Sequence, residues 1–229
     1  MIEVKDIVKV YKNGRLSLEV LKGLNLNVEK GEYVALMGPS GSGKSTFLNI
    51  LGCLDNLTTG QYILDGIDVS NMGEDELSTV RNEKIGFVFQ AYNLLPKLTA
   101  LENVELPAMY KGVDRKTRHK KAKIALESVG LAERMNHRPV EMSGGQKQRV
   151  AIARALINEP KIIFADEPTG NLDSKSGEEI LKIFKELNDQ GVTIIMVTHE
   201  EDVAEHAKRI IRLKDGVINS DEQVLERRV

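Results

Sequence analysis

Apolar and polar positions alternate through the first thirty residues. Leu24, Leu26 and Val28 are interleaved with Asn25 and Asn27, the period-two signature of a half-buried antiparallel strand. Asp65-Gly66 and Asp215-Gly216 sit between short apolar runs and predict hairpin turns. Elsewhere the pattern changes to nearly continuous apolar runs, "YVALM" (33–37), "IGFVF" (85–89), "KIIFA" (161–165) and "VTIIMVT" (192–198). Such runs mark strands buried on both faces of a parallel sheet. Helical patterns follow most of them. The expected fold is therefore an α/β core with a mostly parallel sheet and an N-terminal antiparallel β element.

From 91 to 141 the pattern becomes helical and polar, with an apolar stripe through Ala122, Ala125, Leu126 and Val129. This segment reads as an inserted α-helical subdomain, which leaves 1–90 and 142–229 as the core of a single domain spanning 1–229. The basic cluster "DRKTRHKK" (114–121) reads as a solvated helix face.

What ends each apolar run carries the chemistry. The first stops at a glycine loop and Lys44, the second at Gln90, the third at Asp166-Glu167 and the fourth at His199. In open α/β sheets ligands bind outside the carboxyl ends of the strands. "GPSGSGKST", from Gly38 to Thr46, fits the phosphate-loop pattern G-x-x-x-x-G-K-[ST], with a strand before it and the helical "STFLNILGCL" after it. Its glycines let backbone N–H groups close around phosphate oxygens, and the helix N-terminus adds positive partial charge. Lys44 would meet the β- and γ-phosphates and Ser45 would ligate Mg²⁺.

Asp166 closes a strand where a carboxylate can hold the magnesium shell. Glu167 suits a general base that orients the attacking water. An acidic pair at a strand end equally fits a helix cap or turn; the adjoining phosphate loop favours the catalytic reading. Alone, His199 would read as a core or capping histidine. Its place at a strand's carboxyl end favours contact with the γ-phosphate.

Composition narrows the setting. The chain has 229 residues, a formal charge of -2 and one cysteine, Cys53. That balance gives no general pull toward nucleic acid or anionic lipid. A single cysteine excludes an intrachain disulfide and a multi-cysteine metal site. The start "MIEVKDIVKVYK" lacks the apolar block of a secretory signal. No stretch approaches the roughly 18 apolar residues of a membrane span. A soluble, cytoplasmic protein is expected, one that reaches a membrane only through a partner.

With these motifs assembled, the chain resembles the nucleotide-binding subunit of an ABC transporter over nearly its whole length. "GPSGSGKST" is similar to the Walker A motif and "IIFADEP" to Walker B. "MSGGQ" is similar to the family signature, with Met142 where leucine is commoner. Gln90 matches the Q-loop glutamine, Asn171 to Asp173 the D-loop and His199 the switch histidine.

The resemblance implies ATP and Mg²⁺ as ligands. Gly38, Ser40, Gly41, Gly43, Lys44, Ser45 and Thr46 would cradle the phosphates. Ser45, Gln90 and Asp166 would serve the metal, and Glu167, His199, Lys44 and Gln90 would serve catalysis. Tyr11 falls where the family stacks an aromatic on adenine; an ordinary half-buried strand tyrosine is the alternative. Two copies would face head to tail, with Ser143 and Gly145 of one serving the γ-phosphate held by the other, and Asp173 lying at the same nucleotide.

The same resemblance places a membrane permease against residues 91–106, where an exposed loop is the plainer reading. It would hold the protein on the inner face of the cell membrane. Narrower likenesses in "LNILGCLDNLTTGQYILDG" and "ADEPTGNLDSKSGEEI" point to the lipoprotein-releasing and macrolide-exporting subfamily. An ATP-gated signalling subunit of the cell-division type is the alternative. A nucleic-acid or ribosome-acting ATPase fits less well, because the chain has no long coiled-coil insertion or second cassette. No nucleic-acid partner is expected.

Overall fold

The computed structural model describes residues 1–14 and 16–228. The alternating N-terminal stretch forms β1 (Ile2–Asn13) and β2 (Leu16–Val28), paired antiparallel. Leu24, Leu26 and Val28 are buried while Asn25 and Asn27 are exposed, as the period-two pattern requires. β3 (Tyr33–Met37) follows, wholly buried, and leads through the glycine loop into α1 (Lys44–Leu51). β4 (Thr59–Leu64) and β5 (Ile67–Asp68) complete a four-stranded antiparallel sheet in the order β2-β1-β4-β5. The turn between β4 and β5 is Asp65-Gly66, with φ of 50° and 81°, as a two-residue hairpin demands.

The rest of the chain builds the second sheet. α2 (Glu74–Lys84) precedes β6 (Ile85–Phe89). Then come α3 (Ala100–Tyr110), α4 (Arg115–Ser128) and α5 (Gly144–Leu156). β7 (Ile162–Asp166), α6 (Ser174–Asp189) and β8 (Thr193–Val197) continue the alternation. After the short α7 (Glu201–Ala204), β9 (Arg209–Lys214) and β10 (Val217–Gln223) form a hairpin through Asp215-Gly216. The sheet order is β10-β9-β3-β8-β7-β6.

Five of these strands run parallel, where the apolar runs identify four. The fifth is β9, whose run is broken by Arg209 and Arg212. Arg209 pairs with Asp221 at 2.6 Å and Arg212 with Glu201 at 2.8 Å, so each charge is met by a carboxylate.

Each parallel strand divides its side chains between two cores. Val34 and Leu36 of β3 pack with α1 and with the antiparallel sheet, alongside Ile7, Leu24, Phe47 and Tyr62. Tyr33, Ala35 and Met37 face the opposite way, with Val104, Leu126, Ile152 and Phe184 from the helices. The stripe through Ala122, Ala125, Leu126 and Val129 is buried in this second core. α5 is sandwiched between α3 and α4 on one side and β6 on the other, which explains why Val150 to Ala153 are buried all round. The result is an antiparallel sheet, a parallel sheet and a helical layer, with the carboxyl ends of the parallel strands converging on one edge.

Candidate active site

Met37 ends β3, and the loop that follows must turn into α1 within a few residues. Gly38 cannot be replaced there, since a Cβ would fall 2.1 Å from the carbonyl oxygen of Leu213. Gly43 takes φ 98° directly before α1, and its missing Cβ leaves room for Leu21 and Val20. Ser40 and Gly41 in the turn and Ser45 in the first turn of α1 are exposed. The Lys44 ammonium lies inside the loop, donating to the carbonyls of Gly38 at 2.7 Å and Pro39 at 2.9 Å. These carbonyls hold the lysine across the open mouth of the loop, where it can exchange them for phosphate oxygens. The buried Ser42 Oγ has no partner. A ring of backbone N–H groups, an ammonium and a helix N-terminus suits a polyphosphate.

Asp166 and Glu167 close β7 beside this loop. Partial burial, then the neighbouring Glu167 charge, push the Asp166 carboxyl above its usual value, and Lys44 opposes them. Two adjacent carboxylates under such repulsion are relieved by a cation. Ser45, Gln90 and Asp166 offer the hard oxygen donors that magnesium takes. No group of three or more His, Cys, Asp or Glu side chains able to hold a metal occurs among the described residues.

Glu167 has φ 42°, a left-handed conformation that a non-glycine residue adopts at a cost. Its N–H donates to the carbonyl of Val197 at 3.0 Å, anchoring the strained residue to β8. His199, just beyond β8, brings Nδ1 to 3.1 Å from Glu167 Oε1. The strand-end glutamate and histidine are thus a contacting pair. Gln90 directly follows β6 and is half-buried; its backbone carbonyl accepts from Asn171 Nδ2 at 3.0 Å.

The remaining sequence-identified residues lie apart from this cluster. Ser143 caps α5, and its hydroxyl accepts from the Gln146 N–H at 3.3 Å. With Gly145 it lines a separate cavity of about 530 Å³ bounded by Leu131, Arg149, Ser176 and Glu179, which includes no phosphate-loop residue. Met142, beside it, is buried as the leucine it stands for would be. Asp173 caps α6, one oxygen accepting from the Ser176 N–H at 3.0 Å and the other from the Ser176 hydroxyl at 2.8 Å. Tyr11 is 43% exposed near the end of β1, its hydroxyl beside the Thr46 side chain at the end of the phosphate loop.

Three residues that sequence reasoning passed over hold these parts in register. Gln148 is fully buried on α5 and donates to the Pro168 carbonyl at 2.7 Å, tying the signature helix to the residue after Glu167. One polar side chain in an otherwise apolar helix face is the signal that could have found it. Arg154, also on α5, donates to the carbonyls of Tyr92 and Asn93, two successive left-handed residues just past Gln90. Asn103 is fully buried and bonds the 95–99 turn. A cavity of about 730 Å³ lies between α2, β6 and α3, lined by Phe87, Phe89, Asn93, Leu106, Tyr110 and Arg154 among others.

A parallel sheet whose strand ends gather a phosphate loop, paired carboxylates and a histidine defines a P-loop nucleoside triphosphatase. Residues 21–170 match the family model described as ABC transporter. The chain is 56% identical over 224 residues to the macrolide export ATP-binding/permease protein MacB of Bdellovibrio bacteriovorus, covering 98% of the chain and 34% of that protein. It therefore spans about a third of the length of its MacB relative.

It is also 55% identical over 223 residues to an uncharacterized ABC transporter ATP-binding protein of Thermotoga maritima, covering 97% of the chain and 95% of the relative. Among solved structures, the dimeric bacterial ABC transporter cassette MJ0796 superposes with a TM-score of 0.90 at 51% identity, covering 98% of this chain and 99% of that one. A dimeric post-hydrolysis state of the same cassette, bound to ADP and Pi, gives 0.89 at 49% identity over the same shares. The chain belongs to the ABC transporter family and is an ATP-hydrolysing cassette. ATP and Mg²⁺ are its substrate and metal. No helix among the described residues is long and apolar enough to cross a membrane.

Proposed function

We propose that two copies of this chain close head to tail around two ATP molecules and drive a membrane permease of the lipoprotein-release or macrolide-export type. The observation that carries this reading is the division of the site. Lys44, Asp166, Glu167 and His199 gather at one edge, whereas Ser143 and Gly145 line a different cavity of the same chain. A γ-phosphate can meet both sets only if a second copy supplies one of them. The dimeric cassettes similar to this chain support the same arrangement.

Within each half, Lys44 and the N–H groups of Gly38, Ser40, Gly41, Gly43, Ser45 and Thr46 bind the phosphates. Tyr11 stacks on the adenine. Ser45, Gln90 and Asp166 hold magnesium, which neutralises phosphate charge when bound. Glu167 orients the attacking water and accepts its proton, and His199 keeps the Glu167 carboxylate aimed. Asp173 borders the partner's nucleotide. Residues 91–141 act as an α-helical subdomain beside a core of 1–90 and 142–229. The permease meets residues 91–106, an exposed turn followed by the start of α3, and the aromatic cavity that Asn93 and Leu106 help to line, and holds the cassette at the inner face of the membrane. Similarity to MacB, an export ATP-binding/permease protein by name, favours the export type.

The test is the Glu167→Gln variant, which keeps shape and hydrogen-bonding reach but removes the base and two negative charges per dimer. Size-exclusion chromatography should show monomer converting to stable dimer with ATP and not with ADP. Adding Ser143→Arg should block dimerisation while the monomer still binds ATP. A Glu167→Gln protein that stays monomeric in saturating ATP would refute the shared site.

A further inference from the structure

β1 is paired with β4 only as far as Val8, which lies opposite Thr59. Past that point the β1–β2 hairpin projects with no strand on that side, and Tyr11 sits on the projection opposite Leu18, itself 65% exposed. A ring there would be poorly placed as a stacking face unless something besides the sheet fixed it.

Asp55 does so. It lies in the connection between α1 and β4, and its backbone N–H donates to the Asn49 carbonyl of α1 at 3.2 Å. One carboxylate oxygen accepts from the Tyr11 hydroxyl at 2.6 Å. The other accepts from the Lys9 ammonium at 2.5 Å and from the Asn56 N–H at 2.7 Å. Lys9 is 8% exposed, donates also to the Asn56 carbonyl at 2.5 Å, and stands 4.7 Å from the centre of the Tyr11 ring. One ring face is thus covered by a cation held in place by two oxygens, and the ring edge is pinned by its hydroxyl. Burial tends to raise the Asp55 carboxyl, but bonds from Lys9 and Tyr11 hold it below its usual value, so it remains an acceptor. Burial, with the Asp55 bond, pushes the Tyr11 hydroxyl up, so it remains a donor.

Because α1 begins at Lys44, this network ties the aromatic ring to the helix that carries the phosphate-binding lysine. We propose that Asp55, braced by Lys9, is a positioning residue that sets the Tyr11 ring at a fixed distance and tilt from the phosphate loop, so that a purine triphosphate meets a preformed stacking face. This rests on Tyr11 stacking on the base. It predicts an effect confined to ligands that carry a base.

The experiment compares magnesium-ATP with magnesium tripolyphosphate, which has the phosphates without the base, by titration calorimetry on the full chain. Asp55→Ala should weaken ATP about fivefold, the scale of one aromatic contact, and leave tripolyphosphate unchanged. Lys9→Met should act in the same sense. In a Tyr11→Ala background, Asp55→Ala should cost no further ATP affinity, since there is no ring left to position. Equal loss for both ligands, or full additivity with Tyr11→Ala, would mean that Asp55 merely supports the loop and would overturn the proposal. If Tyr11→Ala weakens ATP but Asp55→Ala does not, the stacking stands and the positioning role fails. If Tyr11→Ala leaves the ratio of the two affinities unchanged, the stacking reading itself fails.

Discussion

Lys44 supplies the full positive charge in a loop that otherwise offers backbone dipoles, and its carbonyl partners are replaceable by phosphate oxygens. Lys44→Ala should therefore cut turnover roughly 10²–10³-fold, as losing a preorganised charge-stabilising group does, and weaken ATP, both measured by phosphate release and direct binding. Near-normal hydrolysis would exclude this loop as the nucleotide site. The positions of Asp166, Glu167 and His199 were legible in the sequence because each stands at or just past a strand end, and that of Lys44 because the loop spacing sets it at the start of α1. Asp55 was not. It lies 44 residues from Tyr11 and 46 from Lys9, and nothing local marks a loop aspartate as the acceptor for both. The left-handed Glu167 was equally hidden, since its strain is imposed by β8 and not by its neighbours in sequence.

At the scale of elements, periodicity located the buried strands and the stripe of α4 because both patterns follow from which face meets a core. It found β9 only as one arm of the Asp215-Gly216 hairpin and not as a fifth parallel strand, because Arg209 and Arg212 interrupt the run. It also left the 95–99 turn as featureless loop, although one side chain organises it. Asn103 donates to the carbonyls of Leu95 and Leu98 at 3.2 Å and of Thr99 at 2.9 Å, and accepts the Leu95 N–H at 2.8 Å. Asn103→Ala would remove four hydrogen bonds from this part-buried turn and should lower stability by about 2–3 kcal/mol in urea unfolding. Thr99 caps α3 through a capping box with Glu102, so Thr99→Ala should cost about 1 kcal/mol. An Asn103→Ala protein as stable as the parent would mean that water replaces the amide without loss.

Across the whole molecule, the proposed permease dock and the ATP site meet through the segment after Gln90. Arg154 on the signature helix grips Tyr92 and Asn93, while Gln148 on the same helix grips the residue after Glu167. A push on the turn after Gln90 can thus reach Ser143 and Glu167 through one rigid helix. Which surface receives the push decides the test. Leu94 packs against the helical core, so a charge there would damage folding as well as docking. Leu95 is 49% exposed in the 95–99 turn, and Tyr110 is 78% exposed and lines the cavity together with the stacked rings of Phe87 and Phe89. Leu95→Asp and Tyr110→Asp leave the core intact, because neither side chain contributes to it. With the permease in a membrane preparation, both variants should abolish substrate movement. As isolated subunits they should hydrolyse ATP at the parent rate and unfold at the parent urea midpoint. Loss of isolated ATPase activity would place these side chains in support of the site. Transport at the parent level would move the dock elsewhere on the surface.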